Sequence, residues 1–229
     1  MFLISLLGAI VAPIIVVIAS IIHLESNEST TPILFNELFY QTNLYTVVVI
    51  GVPLYGVVTS YLFTREYLED TLKNLLTIPV SRTKYIISKL IILLMWIMVL
   101  TMVAWGLTLL MGIMGQFEGL SLSLMKESIA HFIIGGCLLF ILSGPVILIS
   151  LVTRNYVPTI IFTIVITLIN VMSGNSEHRG LFPWAAAGDI ANNTLLPTYP
   201  PEYSYIMIGV AASIGFISAF TFFKNSDIH

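Results

Sequence analysis

The sequence predicts an all-α membrane protein with six transmembrane helices. Its composition indicates a lipid environment, because 57% of the 229 residues are apolar and only 9% are charged. An ordinary soluble domain is about 25% charged. The mean hydropathy of +0.98 agrees. The apolar residues lie in six long runs, and a helix needs about 20 such residues to cross the hydrocarbon core. Only short loops remain, so a single transmembrane domain over 1–229 is expected.

The six runs are predicted to be the six spans. The first covers about 2–23. It is longer than the apolar part of a signal peptide, and no basic residues precede it, which favours a span. The other runs lie at about 43–63, 85–114, 129–152, 157–173 and 204–223. They are too long and too uniformly apolar for the strands of a barrel, the other fold that satisfies its backbone in lipid.

Two local features mark the third and fourth runs. The third is long enough to tilt or to extend beyond the lipid. In the fourth, Ser143 stands beside Gly144 and Pro145. This group predicts a kink in the helix, which membrane helices tolerate where neighbouring groups bind the freed backbone.

The charges predict the orientation. Seven of the nine basic residues fall on one side of the predicted membrane: Arg65, Lys73, Arg82, Lys84, Lys89, Arg154 and Lys224. Most acids fall on the other side: Glu25, Glu28, Glu37, Glu118, Glu127, Glu177, Asp189 and Glu202. The positive-inside rule assigns the basic side to the cytoplasm. Both termini are therefore predicted to be cytoplasmic. No basic tract typical of nucleic-acid binding is present.

Aromatic residues flank the predicted outer ends of the runs. They are Phe35, Phe39, Tyr40, Tyr45, Phe182, Trp184, Tyr199, Tyr203 and Tyr205. Trp and Tyr are enriched where a membrane meets water. The pattern therefore predicts an interfacial belt.

The 65–84 connection is the longest predicted cytoplasmic loop and the most charged part of the chain. Leucines at helical spacing and an opposite polar side predict a short amphipathic helix, and Glu69 stands four residues before Lys73, the favourable order for an ion pair. Pro79 is expected to end it. Such a helix could lie on the inner leaflet or dock into a soluble partner, and the charge pattern leaves both readings open.

The same connection resembles the first cytoplasmic loop of ABC-2-type permeases. The resemblance is carried by Arg-Glu-Tyr at 65–67, Asp-Thr-Leu-Lys-Asn-Leu-Leu at 70–76 and Ile-Pro-Val-Ser-Arg-Thr-Lys at 78–84, followed by an apolar span. It is nearest to the bacterial group that includes bacitracin- and lantibiotic-resistance permeases. The six-span layout extends the resemblance over nearly the whole chain.

The resemblance implies an exporter fold with a coupling helix that contacts an ATPase. The residues implied to make that contact are Glu66, Glu69, Asp70, Thr71, Leu75, Leu76 and Pro79. The resemblance also implies an outer, partly re-entrant helical region before the last span. The 174–203 segment fits this region and contains Trp184 and Asp189.

The resemblance further implies the partners. They are ABC ATPase subunits, membrane lipid, and a second permease copy or a paralogous permease. The chain contains no Gly-Lys dipeptide, so it lacks the loop that cradles ATP phosphates. ATP and Mg²⁺ are therefore expected in a separate ATPase, with no cofactor and no catalysis in this chain. The expected location is a bacterial plasma membrane.

Three functions are compatible with these observations. The first is a permease that moves an amphipathic antimicrobial peptide, peptide antibiotic or lipid-like compound outward. The second is a non-transport immunity or sensor protein that binds a peptide at its outer loops. The third is an intramembrane enzyme that acts on lipids, for which His178, Arg179 and Asp189 are the polar candidates. The resemblance favours the first.

Overall fold

The computed structural model describes residues 1–26, 34–69 and 82–225, with side chains excepted at 23–26. These residues form helices and short connections and contain no strand. The helices are α1 (Phe2–Ser26), α2 (Phe35–Tyr45), α3 (Gly51–Leu68), α4 (Arg82–Met114), α5 (Leu122–Ile141), α6 (Ser143–Thr153), α7 (Tyr156–Ser173), α8 (Pro183–Ala191) and α9 (Pro201–Asn225). A π-helical segment, Thr46–Ile50, joins α2 to α3.

Six helical segments are long and apolar enough to cross a membrane, which confirms the predicted fold class. They are Phe2–Ile22, Phe35–Leu68, Arg82–Met114, Leu122–Thr153, Tyr156–Ser173 and Pro201–Asn225. The second is the most deeply buried and lies at the centre of the bundle. The third, α4, is 33 residues long. At 1.5 Å per residue it measures about 50 Å, well beyond the hydrocarbon core of about 30 Å.

The π-helical segment widens the second span near its middle. Pro53 has no N–H to donate back along the helix, so the preceding turn cannot close in the ordinary way. The N–H of Gly51 instead reaches the Thr46 carbonyl, five residues back. A Cβ on Gly51 would stand 2.2 Å from that oxygen, so only glycine fits. The side chain of Asn170 on α7 donates to the Val48 carbonyl at 3.2 Å. This bond satisfies a backbone group that could find no water in lipid.

The fourth span is broken at Leu142, between α5 and α6, where the kink was predicted. Pro145 cannot donate a backbone hydrogen bond to the preceding turn. The hydroxyl of Ser143 donates to the Phe140 carbonyl at 2.6 Å. This bond satisfies a carbonyl next to the one, at Ile141, that lacks its N–H donor because of Pro145.

The helices α6 and α9 pack most closely at this break. A Cβ on Gly215 of α9 would stand 2.3 Å from the backbone nitrogen of Pro145. A Cβ on Gly144 would stand 2.9 Å from the backbone nitrogen of Phe216. Small residues allow such close approach of membrane helices, whose association depends on packing rather than on exclusion of water.

Hydrogen bonds between side chains tie the remaining helices together. Trp96 on α4 donates to Ser5 on α1 at 3.0 Å, and Tyr55 on α3 shares a 2.8 Å bond with Thr101 on α4. At the other end of α4, Trp105 donates to Ser128 on α5 at 2.9 Å. Bonds of this kind stabilise membrane bundles because their polar groups have few other partners.

Candidate functional site

Six of the eight described basic residues gather at one end of the helix bundle, where α3 ends and α4 begins. This end is called the basic end, and the opposite one the acidic end. The described basic residues found there are Arg65, Arg82, Lys84, Lys89, Arg154 and Lys224. The grouping agrees with the charge division predicted from the sequence. It also locates the 65–84 connection, since both of its ends emerge here.

A buried ion pair joins the second and third spans at the basic end. The ammonium of Lys89 on α4 contacts the carboxylate of Glu66 on α3 and also donates to the Leu62 carbonyl. The hydroxyl of Tyr85 donates to the same carboxylate oxygen. The Lys89 side chain is only 7% exposed and that of Glu66 is 22% exposed. The pair is therefore largely removed from water, where the loss of one partner is costly.

Two aromatic rings surround the Lys89 ammonium. Its nitrogen lies 4.9 Å from the centre of the Tyr85 ring and 5.5 Å from that of Phe63. Aromatic faces attract cations at such distances. The charge of Lys89 is thus stabilised by a carboxylate, a carbonyl and two rings contributed by α3 and α4.

A second ion pair at the same end is exposed. Arg65 donates to Glu69 at 2.8 Å and to the Tyr61 hydroxyl at 2.8 Å. Both side chains of the pair are about half exposed. The predicted partner of Glu69 was Lys73, which lies outside the described residues, whereas the structure pairs Glu69 with Arg65. The reason is that α3 continues to Leu68, so Arg65 occupies its last turn, four residues before Glu69.

The last span is tied to the same end. Arg82 donates to the carbonyls of Phe223 and Lys224 near the end of α9, the latter at 3.0 Å. The Tyr85 ring stacks on that of Phe223 with centres 5.6 Å apart. Cations at the carboxyl end of a helix also interact favourably with its dipole. The start of α4 therefore contacts both α3 and α9.

The predicted ATPase-contacting residues fall partly on the described chain. Glu66 and Glu69 lie at the end of α3, where Glu66 is largely covered against Lys89 and Glu69 is about half exposed. Asp70, Thr71, Leu75, Leu76 and Pro79 lie outside the described residues, as does the predicted coupling helix. Sequence reasoning missed the pairing of Glu66 with Lys89. The available signal was a lysine inside an apolar run, which marks a functional position by default.

The 174–203 segment contains a short helix, α8, that is inserted into the bundle at the acidic end. Its residues Ala185–Ala191 are buried, and it packs against α5 and α9. Gly188 makes this approach possible, because a Cβ there would meet the Val48 side chain at 2.4 Å. Asn192, just beyond α8, accepts a 3.0 Å hydrogen bond from Asn43 on α2.

Asp189 on α8 anchors the segment. Arg179 binds both of its carboxylate oxygens, one at 2.9 Å, and also donates to the Gly174 carbonyl at 3.1 Å. Asp189 is fully buried. Burial raises the pKa of its carboxyl above the ordinary value, while the guanidinium of Arg179 opposes the rise. The side chain therefore fixes α8 and is not free to bind a ligand.

The predicted aromatic belt is only partly right. Phe35 and Phe39 lie inside the bundle, where Phe39 stacks on Trp105 with ring centres 6.2 Å apart. They are buried because α2 begins the second span eight residues before the apolar run was predicted to start. Trp184 is half-buried against the core. Tyr45, Phe182, Tyr203 and Tyr205 are exposed. His178 shares a 2.8 Å hydrogen bond with Tyr199.

Comparison with known proteins gives two matches. The family described as "ABC-2 family transporter protein" matches residues 1–170. A bacitracin transport permease protein (BCRB) of Bacillus licheniformis is 56% identical over 198 residues, which cover 86% of this chain and 95% of that protein. No solved structure matches the chain. The family match includes the basic end from α3 to the first turns of α4.

Proposed function

This chain belongs to the ABC-2 family of transporter proteins, and from that membership we propose that it is the membrane-spanning permease subunit of an ATP-driven exporter. Its substrate would be a peptide antibiotic of the bacitracin class or a related amphipathic compound. The basis for the substrate is the name of the relative from Bacillus licheniformis, which is similar over 95% of its own length.

The observation that carries the proposal is the buried pair of Glu66 and Lys89. The 65–84 connection leaves the membrane directly after α3 and rejoins it at α4. The ion pair locks these two helices together just inside that point. A force applied to the connection by a partner would therefore reach both spans at once.

The remaining parts of the proposal concern partners and orientation. ATP and Mg²⁺ would be bound by a separate ATPase subunit that contacts Glu69 and the residues up to Pro79. A second permease copy or a paralogous permease would complete the translocation path. The basic end would face the cytoplasm of a bacterial cell, in agreement with the positive-inside rule, and both termini would lie on that side.

Charge reversal in the connection tests the proposal. The permease is co-expressed with a cognate ABC ATPase, and complex formation, ATP hydrolysis and bacitracin resistance are measured. The double variant Glu69→Lys/Asp70→Lys is expected to lose resistance, through either failed assembly or ATP hydrolysis without transport. The matched control is Glu202→Lys, an exposed acid at the opposite end. Normal assembly and full resistance in the double variant would contradict the assignment.

The same system separates transport from sequestration. A non-transport immunity protein would protect the cell by holding the peptide at its outer surface. Its protection would persist with an ATPase that binds ATP but cannot hydrolyse it. A permease requires hydrolysis for each cycle, so resistance is expected to disappear with that ATPase.

A further inference from the structure

Two neighbouring cavities lie at the acidic end of the bundle. The first, the head pocket, has a volume of about 340 Å³ and lies between α2, α5 and the chain after α8. The second, the tail crevice, has a volume of about 460 Å³ and lies between α1 and α2. Glu37 lines both cavities. A molecule that occupied both would therefore pass this carboxylate.

The head pocket is acidic and rich in hydrogen-bond acceptors. Its lining includes Glu37, Glu127, His131, Asn192 and Asn193, and no lysine or arginine is among the lining residues. No ion pair of the described chain involves Glu37 or Glu127. Glu37 accepts a 2.6 Å hydrogen bond from the amide of Gln41, which is neutral. The negative charges of both carboxylates are therefore not compensated by a cation among the described residues.

The wall behind the head pocket is a buried polar layer. Asn43 is 1% exposed and donates to Asn192, which is 5% exposed and lines the pocket. The side-chain oxygen of Asn43 has no hydrogen-bond partner among the described residues. Buried acceptors of this kind are uncommon and call for an explanation. Asn43 is not among the lining residues, so this acceptor lies behind the pocket surface and only Asn192 presents the polar layer to the pocket.

The tail crevice has a different character. It is lined by Ile15, Val16, Ala19 and Ser20 of α1 and by Gln41 and Tyr45 of α2. Ile15 and Tyr45 are exposed on the outside of the bundle, where lipid would lie. Tyr45 is eight residues beyond Glu37, so the crevice extends about 12 Å along α2. This matches an apolar chain that enters from the outer half of the bilayer.

We propose that the head pocket and the tail crevice form one binding site for an amphipathic cation. Its ammonium or guanidinium group contacts Glu37 and Glu127, and its apolar chain lies between α1 and α2. The inference rests on the proposed transport function, because the site would be where the substrate leaves the outer leaflet. Aromatic faces at Phe39 and Tyr40 in the same lining add attraction for a cation.

Trp105 offers a reporter for the site. It donates to Ser128 and stacks on Phe39, and both of these residues line the head pocket. A full-length chain with Trp96→Phe and Trp184→Phe retains Trp105 as its only tryptophan. In nanodiscs of neutral lipid, dodecylamine is expected to change its fluorescence saturably. Dodecanol and dodecyl sulfate, of equal chain length, are expected to produce no saturable change.

Variants of the full chain test each half of the site. Glu37→Gln is expected to weaken dodecylamine binding at least about ten-fold, because a charge-assisted bond contributes about 1.5–3 kcal/mol. Glu127→Gln is expected to weaken it as well, and Glu118→Gln, an exposed acid outside both cavities, leaves it unchanged. Ala19→Phe fills the tail crevice. Dodecylamine is then expected to bind no more tightly than butylamine, which has the same ammonium group on a short chain.

A second ligand distinguishes two sources of the cation. N-dodecanoyl-lysine amide carries the same charge and chain on a peptide unit. Tighter binding than dodecylamine, lost in Asn193→Ala, assigns the head pocket to peptides, and equal binding assigns it to simple amphiphilic amines. If the single-tryptophan chain does not fold, the same ligands are titrated against the unmodified chain. Binding is then measured as a rise in its unfolding temperature.

Three outcomes overturn the inference: no saturable binding, equal binding of dodecyl sulfate, or equal losses in Glu37→Gln and Glu118→Gln. None of these measurements requires the ATPase. Binding without ATP-dependent transport would therefore contradict the proposed function and leave the site standing. Transport without binding at these residues would contradict the proposed site and leave the proposed transport function standing.

Discussion

The carboxylate of Glu66 and the ammonium of Lys89 form a buried pair between the second and third spans, while Arg65 and Glu69 form an exposed pair one turn away. Both carboxylates lie at the same end of α3, but Glu66 is paired across to α4 and Glu69 is paired within the last turn of α3. They differ in exposure, and exposure determines how much a pair contributes to stability. Because of this difference in exposure, variants of the Glu66–Lys89 pair test its contribution to folding, and variants of Glu69 test contact with a partner.

Lys89→Met is expected to destabilise the permease by about 3 kcal/mol, since it leaves a largely buried carboxylate without its partner. The measurement is the thermal unfolding of the purified protein in detergent. The double variant Glu66→Gln/Lys89→Met removes both charges and is expected to recover most of the loss. A double variant as unstable as the single one would show that the ion pair is not the cause.

Glu69→Gln is expected to change stability by less than about 1 kcal/mol, because exposed pairs contribute little. It serves as the matched control for Lys89→Met. Under the proposed function, however, Glu69→Gln lowers ATPase-dependent resistance, because this side chain faces the partner. Unchanged resistance together with a large loss of stability would reverse both assignments.

Gly215→Ala is expected to weaken the packing of α6 on α9 by about 2 kcal/mol, a typical cost of overpacking. The added methyl would stand 2.3 Å from the backbone nitrogen of Pro145, which cannot move aside as a side chain would. Gly209→Ala, six residues earlier on the same helix, is the control, because nothing lies within 4 Å of its Cβ position. Thermal unfolding distinguishes the two, and equal effects would contradict the close crossing.

Arg179→Gln is expected to lower stability near neutral pH and to lose part of this deficit on acidification. Burial already raises the pKa of the Asp189 carboxyl, and removal of the opposing guanidinium raises it further. The folded protein then holds the proton more tightly than the unfolded chain, whose Asp pKa is about 3.9. Stability from this group is present below that value and falls as pH rises through the folded pKa.

The measurement is the unfolding temperature between about pH 7 and pH 5, within the range where a raised carboxyl pKa would titrate. Arg179→Gln/Asp189→Asn carries no titrating group at this position. Its stability relative to Arg179→Gln should be higher near pH 7, and the difference should shrink in acid. A deficit of the single variant that grows on acidification would contradict the sign of the shift.

Asn170→Ala is expected to cost about 1 kcal/mol, the usual value for one lost hydrogen bond. The substitution leaves the Val48 carbonyl of the π-helical segment without its side-chain donor. Amide hydrogen exchange should increase across Thr46–Ile50 and remain unchanged in α4. Ile169→Ala, at the exposed position next to Asn170 on α7, is the control.

The spans were predictable because apolar runs of this length have one stable arrangement in lipid. The kink at Ser143, Gly144 and Pro145 was predictable from the missing N–H of proline. The widening at Thr46–Ile50 was not, although Pro53 is its cause, since many prolines in membrane helices produce a bend instead. The sequence also placed the start of α2 too late, because Asn36, Glu37 and Gln41 interrupt the apolar pattern there.

The sites were less predictable than the spans. The sequence predicted an ATPase contact for Glu66 but not its pairing with Lys89. The two residues are 23 positions apart and on different helices, so no periodic pattern within one segment indicates the pair. Asp189 carried no local signal of its burial, which depends on Arg179 ten residues earlier. The two cavities meet only because α1, α2 and α5 converge, and no motif within one segment records that convergence.

The uninterrupted length of α4 has a mechanical consequence. One end of this helix binds Glu66 and the carbonyls of α9, and the other carries Trp105 toward the wall of the head pocket. Its backbone contains no proline between these points. A long helix of this kind tilts as a stiff rod. If α4 tilts about its middle, a small displacement of its basic end therefore moves its acidic end in the opposite direction. The helix need not break any of its backbone hydrogen bonds to do so.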